Sequence, residues 1–214
     1  MTDTLIKDAQ SFLRTLTQNN TKDWWEDNKA TYTEKLKTPA LALLDALTPQ
    51  LADVCGDPVK PKLFRPHRDV RFSKDKTPYK TYLHMLWTPQ TGGRADPAYF
   101  FGINTDSVTI GTGMMGFDKD VLADWRKMVD LDGKRISGIV DDLKAQGFDH
   151  WGDPPLKRVP KPWDADHPHA DLLRRKSCVM TRPLTEYGPL QDTLMDAFKT
   201  ANPLTKMLTG IAFG

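Results

Sequence analysis

The segment AYFFGINTDSVTIGTGM, residues 98–114, decides the predicted fold. Residues 98–103 and 108–114 have the composition of strands, and the turn formers Asn-Thr-Asp-Ser lie between them. Two such runs around a short turn predict a β-hairpin, whose strands are antiparallel. Residues 81–87 form an earlier strand that is apolar on both faces, as in the middle of a sheet. Strands that follow one another without intervening helices favour an antiparallel sheet.

Helical patterns lie on both sides of these strands. The predicted helices span residues 4–17, 22–37, 38–54, 119–129 and 133–146 and the chain after residue 189. Thr38 before Pro39 is the predicted N-cap of the third helix. Two more strands are predicted at residues 69–73 and 177–181. The chain is therefore predicted to be one α+β domain, residues 1–214, with N-terminal helices, a central mainly antiparallel sheet and further helices toward the C-terminus.

The formal net charge of +2 conceals two strongly basic segments. Residues 60–80 carry eight cations and two acids, or +6, and residues 157–182 carry seven cations and three acids, or +4. The rest of the chain therefore carries −8. Basic charge that is concentrated in an otherwise acidic protein favours a local anion-binding site over a surface that attracts any polyanion.

Cysteine content and hydropathy argue against several classes of protein. Two distant cysteines, Cys55 and Cys178, support neither a disulfide scaffold nor a zinc site. The N-terminal residues lack the basic and apolar regions of a signal peptide, so a cytoplasmic location is expected. No apolar run approaches the ~20 residues that span a bilayer, and no membrane partner is expected. The pattern assigns no cofactor and no oligomeric state.

The segment GTGMMG, residues 111–116, matches the glycine spacing of dinucleotide-binding loops. That function requires a strand, a helix and a second, parallel strand. Here the strand belongs to the predicted hairpin, and the helix after it leads into another helix. We therefore interpret Gly111, Gly113 and Gly116 as positions where a strand bulges or another group approaches the backbone closely.

The segment DADHPH, residues 164–169, clusters two aspartates and two histidines. Carboxylate and imidazole groups are ligands of divalent ions. However, Pro168 interrupts the spacing, and alternate residues do not present a tetrahedral set. A turn with capping acids ahead of a short helix at residues 170–174 is the simpler interpretation. No metal site is predicted.

The candidate functional segment is FRPHRDVRFSKDKTPYK, residues 64–80. Guanidinium groups match the geometry of phosphate and carboxylate, and lysines add mobile positive charge. If residues 69–73 form a strand, its side chains alternate, with Arg71 on the face opposite Phe72. The predicted anion-binding residues are Arg65, Arg68, Arg71, Lys74, Lys76 and Lys80. The predicted supporting residues are Asp69, Ser73, Asp75, Tyr79 and His84.

This segment resembles the signature of a bacterial and fungal family, domain of unknown function 2461, whose members carry a run close to F-R-x-x-R-D-x-R-F-S-K-D-K-T-P-Y-K. The residues that carry the resemblance are Phe64, Arg65, Arg68, Asp69 and the run from Arg71 to Lys80. Residues 12–25 and 156–177 are also similar to the family. The resemblance implies a single-domain α+β protein and supplies no activity, cofactor or catalytic residue.

Three functions remain in competition. The first is a site for a phosphate-bearing small molecule or nucleotide on residues 64–80, with phosphoryl or phosphoester chemistry if the protein is an enzyme. The second is a nucleic-acid-binding module, with Phe64, Tyr79 or Trp163 stacking on bases, although the acidic remainder of the chain disfavours it. The third is a structural or interaction protein in which arginines pair with internal acids such as Asp69 and Asp75.

Overall fold

The computed structural model describes residues 4–213, and its N-terminal third is helical as predicted. The first three helices are α1 (Leu5–Gln18), α2 (Lys22–Tyr32) and α3 (Thr38–Cys55). A π-helical turn at Thr33–Lys37 joins α2 directly to α3. Because the backbone stays helical through Thr38 (φ −63°, ψ −49°), the predicted N-cap at this residue is wrong.

The second half of the chain contributes the remaining helices. They are α4 (Lys119–Ala145), α5 (Ala170–Leu173) and α6 (Leu190–Phe213). The carboxylate of Asp118 caps α4 by accepting hydrogen bonds from the amides of Asp120 and Val121. The helices predicted at residues 119–129 and 133–146 form this single element, which is kinked at Asp132 (φ −139°, ψ 33°).

Within the described residues, six strands form one sheet in which every neighbouring pair is antiparallel. The strands are β1 (Val59–Leu63), β2 (Tyr82–Pro89), β3 (Ala98–Asn104), β4 (Val108–Met114), β5 (Asp149–His150) and β6 (Cys178–Pro183). Their spatial order is β1-β2-β3-β4-β6-β5. The predicted hairpin of residues 98–114 is β3–β4. The predicted α+β class, with helices on both sides of an antiparallel sheet in the chain order, is confirmed.

Strand β1 is an element that the sequence pattern did not predict. Its sequence, VKPKL, places two lysines and Pro61 in five residues, which weakens the usual strand signal. It lies at an edge of the sheet, where a proline is tolerated and lysines discourage pairing with another chain. The missed strand matters for the site, because it pairs with β2 and turns its lysines toward one side of the sheet.

The strand predicted at residues 69–73 is wrong. Residues 64–81 instead form the long connection between β1 and β2, with one isolated bridge between His67 and Tyr79. The chain turns at Arg71 and Phe72, where the carboxylate of Asp69 accepts a hydrogen bond from the Arg71 amide. This local bond satisfies the backbone without a strand partner. The predicted separation of side chains onto two faces of a strand therefore does not occur.

The two faces of the sheet lie in different environments. On β2, Met85 and Trp87 are fully buried against the helices, and the Trp87 indole donates a hydrogen bond to the Leu44 carbonyl at 3.2 Å. Helix α3 packs against β1 and β2, and α6 packs against β4. The alternating residues His84 and Leu86 are half-buried and point to the opposite side, as the period of a strand requires. The candidate site lies on that opposite side.

Among residues 4–213, no helix is both long enough and apolar enough to cross a bilayer.

Candidate functional site

The basic loop, residues 64–80, is anchored to the N-terminal helices. The side chain of Asn20 bonds both backbone groups of Tyr79: its Nδ2 donates to the carbonyl at 2.9 Å, and its Oδ1 accepts from the amide at 3.1 Å. The ring of Tyr79 stacks on Trp25 with centroids 4.2 Å apart and an interplanar angle of 14°. Tyr79 is 4% exposed, and burial raises the pKa of its hydroxyl. The structure thus places this predicted supporting residue in the core.

Two of the predicted anion-binding arginines are bound within the loop. Arg71 forms a two-pronged pair with Asp69, with Nε–Oδ1 at 2.9 Å and Nη2–Oδ2 at 2.6 Å. The hydrogen bonds from Arg71 lower the pKa of the Asp69 carboxyl. This pair lies at the surface, where ion pairs add little stability. The Arg71 guanidinium therefore already binds a carboxylate, which is the planar partner that its geometry matches.

Arg68 is held in the same way on the inner side of the loop. Its Nη1 donates to Asp75 Oδ2 at 2.5 Å, to the carbonyl of Thr77 at 3.1 Å and to the Thr77 hydroxyl. Its Nη2 donates to the hydroxyl of Ser73 at 3.4 Å. The pKa of the Asp75 carboxyl is lowered by hydrogen bonds from Thr77 first and from Arg68 second. Arg68, Ser73 and Asp75 therefore shape the loop.

The lysines of the loop divide between its tip and its base. Near the tip, Lys76 donates to the Val70 carbonyl at 3.0 Å, and Lys74 is exposed. At the base, Lys80 is half-buried, with its Nζ 5.5 Å from the ring centroid of Phe64. The predicted set of six cations is thus divided among different places.

A cation cluster forms at the base of the loop from Lys62, Arg65 and Lys80. Lys62 belongs to β1, and its Nζ lies 4.7 Å from the ring centroid of Phe64. The pKa of Lys80 is lowered by burial first and then by the positive charges of Arg65 and Lys62. Among residues 4–213, no carboxylate forms a salt bridge with any of these three cations. The cluster therefore has no salt-bridged counter-ion, and the nearest acid that the electrostatics indicate is Asp69, whose pKa the charge of Arg65 helps to lower.

A groove of about 610 Å³ opens beside this cluster on the side of the sheet away from α3 and α6. Phe64 and His84 form its wall next to the cations, and the cavity extends across β3 and β4 toward β6. Lys62 pairs with Leu86 in the strand register, so its side chain lies on the same side of the sheet as this groove. We call this cavity the sheet groove. Its lining includes Phe64, His84, Leu86, Phe100, Trp151 and Val179.

His84 is packed among aromatic rings at the end of the groove near the cations. It stacks on Tyr82 with centroids 3.9 Å apart, and it meets the ring of Phe100 edge-on at 5.0 Å. Burial lowers the pKa of its imidazole to about 4, and the charge of Lys80 acts in the same direction. The imidazole is therefore neutral at neutral pH, and it offers a hydrogen bond rather than a charge.

A family model, described as a conserved hypothetical protein (DUF2461), matches residues 8–207. The chain belongs to this family. The match confirms the resemblance seen in residues 64–80 and extends it over nearly the whole chain. Comparison with curated proteins gives no match. The family description adds no reaction or ligand, so functional inference rests on the geometry of the basic loop and the sheet groove.

The glycine-rich segment at residues 111–116 has a packing role in this member of the family. Gly113 has φ +143°, and a Cβ atom there would lie 2.1 Å from the Cys178 carbonyl oxygen. A Cβ atom on Gly111 would lie 2.7 Å from the Met180 oxygen. Strand β4 is antiparallel to both neighbours, so it does not form the parallel unit of a dinucleotide-binding fold. Gly111 and Gly113 permit close approach of backbones, as predicted, whereas a Cβ atom on Gly116 would have no atom within 4 Å.

The segment at residues 164–169 packs against α4. His167 Nε2 lies 3.3 Å from Asp130 Oδ1, and its Nδ1 accepts a hydrogen bond from the His169 amide. The N-cap residue of α5 is His169, and its side chain forms no capping hydrogen bond. The prediction that acids cap this helix is therefore wrong. Across residues 4–213, no three histidine, cysteine or acidic side chains are grouped closely enough to hold a metal ion.

Several residues of the site were absent from the sequence prediction, among them Lys62, Phe100 and Trp151. Lys62 lies in the segment of residues 60–80 that carries +6, two residues before Phe64. In an extended chain this spacing places both side chains on one face, but β1 was not predicted, so the signal was missed. Phe100 lies on β3 with its side chain alternating away from the core. Trp151 follows β5 in a long loop and is 58% exposed, and no periodic pattern marked it.

Proposed function

We propose that this protein binds a phosphate-bearing small molecule, nucleotide-like in size, in the sheet groove. The anionic group lies at the cation cluster, and the rest of the molecule lies along the groove. The observation that carries the proposal is that Lys62 and Lys80 lie over the ring of Phe64, which lines the cavity. Arg65 is near enough to Lys80 for its charge to lower the pKa of that lysine.

Mutual repulsion within the cation cluster supports an anion as its partner. The positive charges of Arg65 and Lys62 contribute to lowering the pKa of Lys80, which means that the three cations raise one another's free energy. A bound phosphate removes that repulsion, and charge-assisted hydrogen bonds to its oxygens add further stabilisation. Arg65 is exposed and offers a guanidinium fork, unlike Arg68 and Arg71.

The groove supports a ligand with an apolar or aromatic body. Its volume of about 610 Å³ lies within the usual range of small-molecule sites, and its walls include the rings of Phe64 and Phe100. The neutral imidazole of His84 adds a polar group that orients the ligand by a hydrogen bond and carries no charge. The lining also includes Asp96, Asn104 and four threonines, so the apolar walls are combined with polar groups, as is typical of ligand sites.

Phosphoryl or phosphoester chemistry is the class of reaction that fits this site. Catalysis of that class depends mainly on positioning the substrate and neutralising its charge. The cation cluster would neutralise the phosphate, and His84 is the candidate for proton transfer because it borders the cluster. The proposal assigns no nucleophile and stands as a binding function without one.

Calorimetric titration with inorganic phosphate, pyrophosphate and ATP tests the proposal. Arg65→Ala and Lys80→Ala should each weaken binding of the preferred compound by about tenfold or more, because each removes a charge-assisted contact. The matched control is Arg71→Ala, which removes an exposed arginine that Asp69 already binds. Equal loss in the control, or no saturable binding of any of the three compounds, contradicts the proposal.

The salt dependence of binding separates this function from nucleic-acid binding. A small ligand at three cations should lose affinity only modestly with added salt, whereas a nucleic acid with many phosphate contacts shows a steep slope. Burial of Tyr79 removes one of the aromatic rings that the nucleic-acid hypothesis used for stacking. Tight oligonucleotide binding with a steep slope would favour that alternative.

A further inference from the structure

The tip of the basic loop presents a phenylalanine to solvent. Phe72 is 96% exposed and lies in the turn next to Arg71. The guanidinium carbon of Arg71 is 5.9 Å from the centre of the ring. Exposure of an apolar ring to water is unfavourable, so contact with a surface that covers the ring lowers the free energy.

Hydrogen bonds on both sides of Phe72 fix the shape of the tip. Asp69 binds the amide and side chain of Arg71, and Lys76 donates to the Val70 carbonyl. The Ser73 amide also donates to the Val70 carbonyl, at 3.3 Å. These bonds close the turn around Phe72, and the ring projects from it. Such pre-organisation lowers the entropy cost of contact with a partner.

The charge around Phe72 favours an anionic partner. Residues 68–76 carry four cations and two acids, or +2. Two of these cations, Arg68 and Arg71, pair with the acids, and the other two, Lys74 and Lys76, are exposed. Because Asp69 and Asp75 are bound by arginines of the same loop, neither acid presents a free charge that would repel an anion. The tip thus presents an exposed aromatic ring with positively charged side chains beside it.

We propose that this tip contacts an anionic lipid surface, with Phe72 inserted at the level of the headgroups and the lysines beside acidic lipids. A projecting ring suits a fluid surface, which deforms around it, whereas stacking of single-stranded nucleic acid uses several rings along a groove. The sequence led us to expect no membrane partner, because no apolar run is long enough to span a bilayer. Contact with a lipid surface requires no spanning helix, so this proposal departs from that expectation. The sheet groove is a separate site.

Sedimentation with lipid vesicles tests this contact. Vesicles of phosphatidylcholine and phosphatidylserine at about 7:3 should bind the protein, and vesicles of phosphatidylcholine alone should not. Phe72→Ala should weaken binding by about fivefold or more, because the inserted ring is lost. Lys74→Glu should also weaken it by about fivefold or more, because a nearby charge is reversed. Unchanged thermal unfolding of both variants verifies that they are folded.

Leu131→Ala is the matched control for the apolar residue. Leu131 is 80% exposed on α4, but acids occupy both neighbouring positions, Asp130 and Asp132. This control should bind vesicles like the wild type. Absence of binding to the mixed vesicles, equal binding to both compositions, or equal loss in Phe72→Ala and Leu131→Ala overturns the proposal. The proposal is also overturned, in favour of nucleic acid, if an oligothymidine displaces the protein from vesicles and Phe72→Ala weakens binding of that oligothymidine.

Discussion

At the scale of single residues, two half-buried histidines link the stability of the fold to pH. Burial lowers the pKa of His84 to about 4 and that of His150 likewise to about 4. In the unfolded chain, both imidazoles take up a proton near pH 6.5. The unfolded state therefore binds more protons between these values. The resulting stability is fully present above about pH 6.5 and is lost progressively as the pH falls toward 4.

The substitution His84→Gln should reduce this pH dependence. It removes one of the two imidazoles, so the free energy of unfolding should change less between pH 7 and pH 4.5 than in the wild type. Chemical denaturation at a series of pH values measures the slope. A slope equal to that of the wild type would mean that His84 does not carry the linkage.

Gly113 is a residue at which a side chain cannot be tolerated. Gly113→Ala places a Cβ atom 2.1 Å from the Cys178 oxygen and forces a left-handed backbone, so we expect a loss of about 2–4 kcal/mol of stability. Gly138→Ala is the matched control, because it lies in α4 with no atom within 4 Å and should gain about 1 kcal/mol. Thermal unfolding of both variants gives the comparison, and equal effects would contradict it.

The residue pattern predicted the basic loop as the candidate site, but it did not predict which of the cations pair with acids and which do not. The motif contains cations at nearly every second or third position, and their types are similar. What separates Arg65 from Arg68 is the position of acids in the folded loop, since Asp75 reaches Arg68. Such pairing depends on the path of the backbone at residues 69–73, which was wrongly predicted as a strand.

At the scale of elements, the attachment of the basic loop to α1 and α2 depends on Asn20. Asn20→Ala removes both hydrogen bonds to the Tyr79 backbone, and we expect a loss of about 1–3 kcal/mol of stability. Amide hydrogen exchange at Tyr79 should also accelerate. Asn19→Ala is the matched control, since the Asn19 side chain donates to the Thr15 carbonyl of the preceding helix and not to the basic loop. Similar exchange rates in both variants would contradict the anchoring role.

Elements with strong periodicity were predicted well, and the errors lie where local chemistry replaces periodicity. The β3–β4 hairpin and the N-terminal helices follow from apolar spacing and from turn residues. Strand β1 owes its existence to pairing with β2, not to its own composition. Residues 69–73 have a strand-like composition, but the Asp69 carboxylate closes a turn there.

At the scale of the whole molecule, the architecture leaves one side of the sheet available to a ligand. Helices α3 and α6 supply the core on the other side, and the sheet groove crosses the central strands. The cation cluster lies beside one end of this groove, while the chain outside the two basic segments carries −8. We propose that this uneven charge directs a small anion to that end.

Amide NMR spectra recorded during titration with pyrophosphate or ATP test the central claim most directly. We expect saturable shifts at Phe64, Lys80 and His84, and their disappearance in Lys80→Ala, because the anion lies at the cation cluster. Residues 69–76 should shift little, since Arg68 and Arg71 are bound to acids of the loop. Saturable shifts confined to residues 69–76, or none anywhere in the chain, would contradict an anion site at the sheet groove.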